Sequence, residues 1–317
     1  MINILLLLAG FIALIYGATK LVDAASSLAS RMGVPNIVIG LTIVAFGTSA
    51  PELVVNLIAS INNSTEMVLG NVLGSNIFNV LGILGISALI YPLSVKTNTT
   101  WLEIPLSFLA AVTVLVVASD VYLDGAASNF ISRTEGIILL LFFSVFLVYN
   151  LTVARNSPEE EETQTENYSY LKAILFIALG LVGLIVGGRL IVTSAVSIAQ
   201  TFGLSERIIG LTIVSIGTSL PELATSVVAV RKRNVDIAIG NVVGSNIFNI
   251  FLILGVSTIV NPLEVNSASF PDIAVNLASS LLLFIFVFTG KGRQVARWEG
   301  GVLLVLYVSY LILLITQ

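Results

Sequence analysis

The chain contains no cysteine and no histidine. Without cysteine there is neither a disulfide framework nor a thiolate metal site. Without histidine there is no imidazole to serve as metal ligand, proton shuttle or catalytic base at neutral pH. Charge is scarce as well: charged residues make up 10% of the chain against 56% hydrophobic ones, and the mean hydropathy is +1.03. A soluble globular chain is far less apolar. The net charge of −4 gathers in one acidic stretch, and nothing in the composition supports nucleic-acid binding. What remains is a chain suited to lipid.

Its apolar runs are about 20 residues or longer, the length needed to cross a bilayer core of roughly 30 Å. The pattern predicts ten spans, at 2–22, 36–60, 66–90, 99–118, 133–154, 171–199, 206–230, 236–260, 270–289 and 297–316. The first run lacks a basic segment before it, because Lys20 and Arg31 follow it, so it reads as a retained span rather than a signal peptide. Turn signals mark the gaps: Gly33-Val34-Pro35, Asn62-Asn63-Ser64 and Asn261-Pro262. The compositional break is Arg155–Asn167, RNSPEEEETQTEN, which reads as a solvated linker because a run of like charge repels itself.

Two segments occur twice, 170 residues apart. Gly40–Glu52 reads GLTIVAFGTSAPE and Gly210–Glu222 reads GLTIVSIGTSLPE; Gly70–Val80 reads GNVLGSNIFNV and Gly240–Ile250 reads GNVVGSNIFNI. With five spans on each side of the linker, the second copy must enter the membrane from the opposite side, which relates the halves by a two-fold axis in the membrane plane. The expected fold is therefore an all-α integral membrane protein of ten transmembrane helices in two inverted-topology five-helix repeats. Residues 1–154 form the first repeat, 155–169 an acidic cytoplasmic linker and 170–317 the second repeat. Basic residues support one orientation. With the N-terminus outside, inward loops carry Lys20, Arg31, Lys96, Arg155, Lys172, Arg231, Lys232, Arg233, Lys291, Arg293 and Arg297, whereas outward loops carry Arg133 and Arg207. Both termini are then expected outside a cell membrane crossed many times.

Glu52 and Glu222 fall deep in their spans at matching positions. An ionised carboxylate at a helix centre costs about 2.5–3.5 kcal/mol on insertion scales. One such residue is explained by protonation and a hydrogen bond to a neighbouring helix; two equivalent ones, each in Gly-Thr-Ser-x-Pro-Glu, point to a functional site. Pro51 and Pro221 cannot donate to the carbonyls of Gly47 and Gly217, so the helix must kink there and free carbonyls around Ala45–Gly47 and Ser215–Gly217. In lipid such backbone persists where it lines a cavity. Hard cations seek carbonyl, hydroxyl and carboxylate oxygens, and Thr48, Ser49, Thr218 and Ser219 supply hydroxyls beside each glutamate. In the second motif Asn71, Ser75 and Asn79 share a helix face, as do Asn241, Ser245 and Asn249. Asn71 and Asn241, nearer the span ends, read as amide glue between helices; Ser75, Asn79, Ser245 and Asn249 read as ligands or as residues orienting ligands. Gly70, Gly74, Gly240 and Gly244 provide small faces for close helix packing. Two ionised carboxylates balance one Ca²⁺ or two Na⁺. Empty, they repel each other, so a site that crosses the membrane only when loaded performs obligatory exchange. Mg²⁺, which sheds water reluctantly and demands octahedral geometry, fits poorly.

At these residues the chain resembles the sodium/calcium exchanger family, in its compact prokaryotic branch. GTSAPE at 47–52, GTSLPE at 217–222 and the paired GNVxGSNIFN segments look like that family's two α-repeats. The resemblance implies a Ca²⁺ and Na⁺ site near the bilayer midplane, with Glu52 and Glu222 as shared carboxylates and Thr48 and Thr218 beside them around Ca²⁺. Ser49, Ser219, Ser75, Ser245 and the carbonyls of Ala45 and Ser215 would help form flanking Na⁺ sites. It also implies exchange of about three Na⁺ for one Ca²⁺ by alternating access, with the first and sixth spans sliding across the other eight. Family members often pair Asn in the first repeat with Asp in the second; here Asn79 and Asn249 leave the site without a third carboxylate.

The expected function is thus an antiporter, not an enzyme, with Ca²⁺ and Na⁺ as substrates, the lipid bilayer as surroundings, and no cofactor, nucleic acid or protein partner implied. A proton-coupled cation exchanger is the alternative, although its Gly-Asn-x-x-Glu pattern is missing where GTSxPE stands. A channel would need a continuous pore. An intramembrane hydrolase would need a nucleophile–base set, which the chain lacks. A purely structural membrane protein leaves the duplicated glutamates unexplained.

Overall fold

A computed structural model describes residues 2–156, 167–201, 215–289 and 292–316. The chain is helical almost throughout. Helix α1 spans Ile2–Met32, α2 Asn36–Thr48, α3 Ala50–Ile61, α4 Thr65–Ile90, α5 Thr99–Val117 and α6 Arg133–Asn156. In the second half α7 spans Tyr170–Thr201, α8 Ser215–Thr218, α9 Leu220–Arg231, α10 Val235–Val260, α11 Ser267–Thr289 and α12 Arg297–Thr316. Among the described residues eight helices are long and apolar enough to cross a membrane, and a ninth span results when α2 and α3 are joined across their 46° bend. The protein is therefore a multi-pass membrane protein. The start of the span expected at 206–230 lies outside the described residues, as do Arg207, Lys291 and most of the acidic linker.

The first helix runs ten residues beyond its expected end at 22. Its extension, DAASSLASRM, has few large apolar residues, but Ala24, Ala25, Ser26, Ser27 and Ala29 are buried. Small side chains hold that segment in the bundle where a hydropathy scan sees only a fall. The expected turns occur where the sequence places them: Gly33 and Asn63 both adopt positive φ, +62° and +60°.

Close backbone approaches set the packing. Helices α1 and α7 run antiparallel along a glycine seam. A Cβ on Gly17 would lie 2.7 Å from the Gly180 carbonyl, and one on Gly187 2.8 Å from that of Gly10. Gly240 and Gly244 of α10 press on the backbone of α2 at Ile37, Gly40 and Leu41. Side chains larger than hydrogen would force these helices apart. No described residue comes within 4 Å of a Cβ at Gly70. Its counterpart of the α2 backbone, Gly210, lies outside the described residues.

Two short antiparallel ribbons tie the halves together, separated by the length of α5. Leu93–Ser94 pairs with Gln294–Val295, and Asn129–Ile131 pairs with Leu263–Val265. Helices α6 and α12 start with matching side-chain caps: Glu135 accepts from the Ser132 N–H at 2.6 Å, and Glu299 from the Ala296 N–H at 2.6 Å. Many expected inward basic residues gather at one end of the bundle. There Arg31 bonds Asn167 and Tyr168, Lys232 pairs with Asp23, and Lys96 pairs with Asp236 at 2.8 Å.

Candidate functional site

Each GTSxPE motif breaks its helix at the serine two residues before its proline. Ser49 has φ −83° and ψ 4°, and Ser219 has φ −92° and ψ 12°, off helical values at equivalent points. Pro51 and Pro221 then open the following helices, positions that tolerate a missing N–H. The break turns Glu52 and Glu222 inward at the first turn of α3 and α9, where each is 1% exposed.

The two glutamates are held crosswise. Ser49, three residues before Glu52, donates from its hydroxyl to Glu222 Oε1 at 3.0 Å. Ser219, three residues before Glu222, donates to Glu52 Oε1 at 3.2 Å. Ser245 reaches Glu222 Oε1 at 3.5 Å. Thr48 donates to Asn241 Oδ1 at 3.0 Å and Thr218 to Asn71 Oδ1 at 3.4 Å. Asn241 in turn donates to the Glu222 carbonyl at 3.2 Å and to Ser226 Oγ at 3.0 Å. That is the clamp expected of Asn241; the Thr48 hydroxyl shares its single proton between Asn241 Oδ1 and the Ala45 carbonyl, and Thr218 turns to Asn71. The Ala45 carbonyl, expected to be freed by the kink, accepts from the Ser49 N–H at 3.0 Å and from the Thr48 hydroxyl at 3.2 Å. Proline removes the donor four residues after Gly47, so the bond to Ala45 survives. Ser215 heads α8, and its side chain lies outside the described part of the structure.

Directly after GSNI, α4 and α10 each widen into wider, i→i+5 turns, over Phe78–Leu84 and Phe248–Leu254. Such turns recur at functional sites because they re-aim side chains. Asn79 and Asn249 stand in them, both 1% exposed. Sequence spacing alone misses what orients them. Asn79 Nδ2 donates to Asn246 Oδ1 at 3.0 Å, Asn249 Nδ2 donates to Asn76 Oδ1 at 2.9 Å, and Asn76 Nδ2 donates to the Asn246 carbonyl at 3.2 Å. The last bond fixes the amide of Asn76, since a carbonyl needs a donor facing it, and so fixes that of Asn249. Asn76 and Asn246 lie one position away from the face read in the sequence. Their own duplication, 170 residues apart, is the signal that could have found them.

Several expected ligands keep a buried acceptor that the protein does not satisfy, as do residues elsewhere in the bundle such as Asn56, Glu103 and Asn276. Glu52 Oε2, Glu222 Oε2, Asn79 Oδ1, Asn249 Oδ1 and Ser75 Oγ are all buried and have no protein partner. Buried oxygens are rarely left so. Four of the five carry lone pairs and no proton to give when the glutamates are ionised. The donor set is all oxygen, carries two formal negative charges and suits a hard cation. Among the described residues no cluster of three or more acidic side chains exists that would add charge.

Comparison with known proteins agrees with this chemistry. The family described as sodium/calcium exchanger protein matches residues 2–152 and 172–316. The sodium/calcium exchanger MaX1 of Methanosarcina acetivorans is 36% identical, the alignment covering 99% of this chain and 98% of that protein. The inner membrane protein YrbG of Escherichia coli is also 36% identical, over 98% of this chain and 95% of its own. The solved structure of the sodium-calcium exchanger NCX_Mj, soaked with zero Na⁺ and Ca²⁺, superposes with a TM-score of 0.82 at 32% identity, over 97% of this chain and 98% of that one. With its motifs, its crossed glutamates and matches that run nearly end to end, this chain belongs to the sodium/calcium exchanger family.

Proposed function

We propose that the protein is a secondary antiporter that exchanges Na⁺ for Ca²⁺ by alternating access. Its architecture on this reading is ten spans, with residues 1–154 and 170–317 as inverted five-helix repeats joined by a cytoplasmic linker at 155–169, and both termini outside. The cation site lies at the midplane between the repeats. Glu52, Glu222, Asn79, Asn249, Ser75 and Ser245 turn oxygen to the ions. Thr48, Thr218, Ser49 and Ser219 hold the glutamates and kinks in place and offer hydroxyl oxygen when their protons turn away; the Ala45 carbonyl joins a flanking site through the lone pair that the Thr48 hydroxyl then releases, and the Ser215 carbonyl joins its counterpart. No cofactor or protein partner takes part.

The crossed bonds Ser49–Glu222 and Ser219–Glu52 carry this reading. A carboxylate held by the opposite half belongs to a site shared by both halves, and a shared site between inverted repeats is how such transporters expose one set of ligands to either side. Two glutamates neutralise one Ca²⁺ or two Na⁺. Unloaded, they repel, and moving that repulsion through an apolar barrier is unfavourable. Exchange follows from the charge balance. The glycine seam between α1 and α7 supports movement of that pair as one body against the rest.

Uptake of ⁴⁵Ca²⁺ into proteoliposomes tests the proposal. Uptake should require an outward Na⁺ gradient and vanish in Glu52→Gln and Glu222→Gln. Uptake driven equally by a pH gradient alone overturns Na⁺ coupling, and passive flux without a counter-ion overturns antiport.

A further inference from the structure

Helix α7 carries an arginine inside its apolar run, in GLVGLIVGGRLIV. Arg189 lies twelve residues (201 − 189) from the helix's end, about 18 Å along its axis. Its side chain forms no hydrogen bond or ion pair among the described residues. Arg189 is exposed on the surface of the bundle, and a cation that faces out from within an apolar helix is costly enough in lipid to be a functional-site hypothesis by default. Its exact counterpart 170 residues earlier is Thr19, whose hydroxyl bonds its own helix at the Ile15 carbonyl, 2.8 Å away, and the cation of the first helix, Lys20, stands one position further on.

Arg189 lines a cavity of about 300 Å³ whose other walls include Ala50, Pro51, Gly217, Thr218 and Pro221. These are the two helix breaks themselves, with Pro51 and Pro221 directly before Glu52 and Glu222. Gly188 brings α7 close to the second break: a Cβ there would sit 4.0 Å from both the Gly217 carbonyl and Pro221 Cδ. The α7 residues that line it, from Ile185 to Thr193, run beside the first half of α1, with Gly187 against Gly10 and Leu14, which puts the cavity nearer the bundle end that carries the N-terminus.

We propose that this cavity is the ions' route to the site from the N-terminal face, and that Arg189 is a specificity-determining residue whose fixed charge disfavours Ca²⁺ over Na⁺ on that route. The inference rests on the exchange reading and adds sidedness to it. A fixed potential acts on an ion in proportion to its charge, so whatever factor Arg189 imposes on Na⁺ occupancy it imposes squared on Ca²⁺. A unit charge acting through roughly 10 Å of water-like medium gives about two-fold for a monovalent ion and about four-fold for a divalent one. Because the charge acts on the bound ion while the site is open to this route, Ca²⁺ binds more weakly from the N-terminal face and Na⁺ competes better there. The gradients still set the direction of net exchange.

The test is a charge series in right-side-out and inside-out vesicles, with half-saturating Ca²⁺ and Na⁺ measured from each face. Arg189→Gln should lower the value for Ca²⁺ about four-fold and for Na⁺ about two-fold on the N-terminal face alone. Arg189→Lys should restore both. Raising external choline chloride should move the wild-type values toward those of the Gln variant, because salt screens the charge; this reading needs no variant to fold. Equal shifts for both ions, shifts on both faces, or unchanged values with only the maximal rate reduced would each overturn the proposal, the last being the behaviour of a merely structural or lipid-facing arginine. A wild type that exchanges no Ca²⁺ overturns the exchange reading along with it; a wild type that exchanges while the series stays flat overturns this inference alone.

Discussion

At the scale of single residues, the site is a question of which oxygens are already spent. Glu52 binds Ser219 and Glu222 binds Ser49 and Ser245 through Oε1, both keep Oε2 free, and Asn79 and Asn249 spend their amide nitrogens across the interface and keep their oxygens. Asn76 and Asn246 are therefore positioning residues. Asn76→Leu removes the acceptor that holds Asn249, and an unmade buried hydrogen bond costs about 1–3 kcal/mol. We expect half-saturating Ca²⁺ to rise on the order of ten-fold while the maximal rate falls less, in ⁴⁵Ca²⁺ uptake at saturating Ca²⁺; an unchanged affinity would show that Asn249 needs no such support. Asn249→Asp adds a third carboxylate among Glu52, Glu222 and Asn79. The variant should fold normally and change its preference among Ca²⁺, Na⁺ and protons, measured as competition against ⁴⁵Ca²⁺ at several pH values. The glutamates, serines and threonines of the site were legible because they stand in duplicated motifs. The asparagine cross-bracing was not, because the helices widen there and a periodicity of 3.6 places Asn76 on the wrong face. Arg189 escapes any reading based on duplication, since Thr19 holds its equivalent position.

At the scale of elements, two devices recur: helix breaks that turn ligands inward, and glycine seams that bring backbones together. Sequence spacing announces the breaks, because proline removes a donor whatever surrounds it. It does not say which carbonyl goes free, and the Ala45 carbonyl keeps its N–H partner because Ser49 still closes the last turn before the break. The long α1 was equally hidden, since its last ten residues are held by the burial of small side chains rather than by hydropathy. The seam between α1 and α7 gives a direct test. In Gly187→Leu the new side chain would meet the Leu14 N–H at 2.7 Å and the Gly10 carbonyl at 2.8 Å. Overpacking of this kind typically costs about 1–3 kcal/mol. The detergent-solubilised variant should melt several degrees lower, and exchange should slow even in the protein that remains folded; an unchanged Tm and rate would mean that the two helices do not travel as a packed pair.

At the scale of the whole molecule, the absence of cysteine becomes an experimental convenience, since any introduced thiol is the only one. Asn62 and Asn98 are exposed and lie at opposite ends of the bundle on the proposed topology. In intact cells Asn62→Cys should react with a membrane-impermeant maleimide and Asn98→Cys should react only after permeabilisation. The reverse pattern would invert the orientation drawn from basic residues. The multi-pass architecture was plain from composition, and the proposed inverted arrangement is drawn from the odd number of spans expected per half; the ribbons that join Leu93 to Val295 and Ile131 to Leu263 had no sequence signature, because two- and three-residue strands carry too little pattern to recognise.

The crossed serine bonds reach further than the site they hold. Because Ser219 secures Glu52 and Ser49 secures Glu222, a single five-helix unit owns a carboxylate but not the group that fixes it. Neither unit is a transporter with a spare copy attached. On the proposed topology the two units become competent only when they meet head to tail in one membrane. Each half must then keep to one orientation for the crossed bonds to form at all. The basic residues at one end of this molecule hold that orientation, so a change of charge there would disturb a carboxylate half a membrane away.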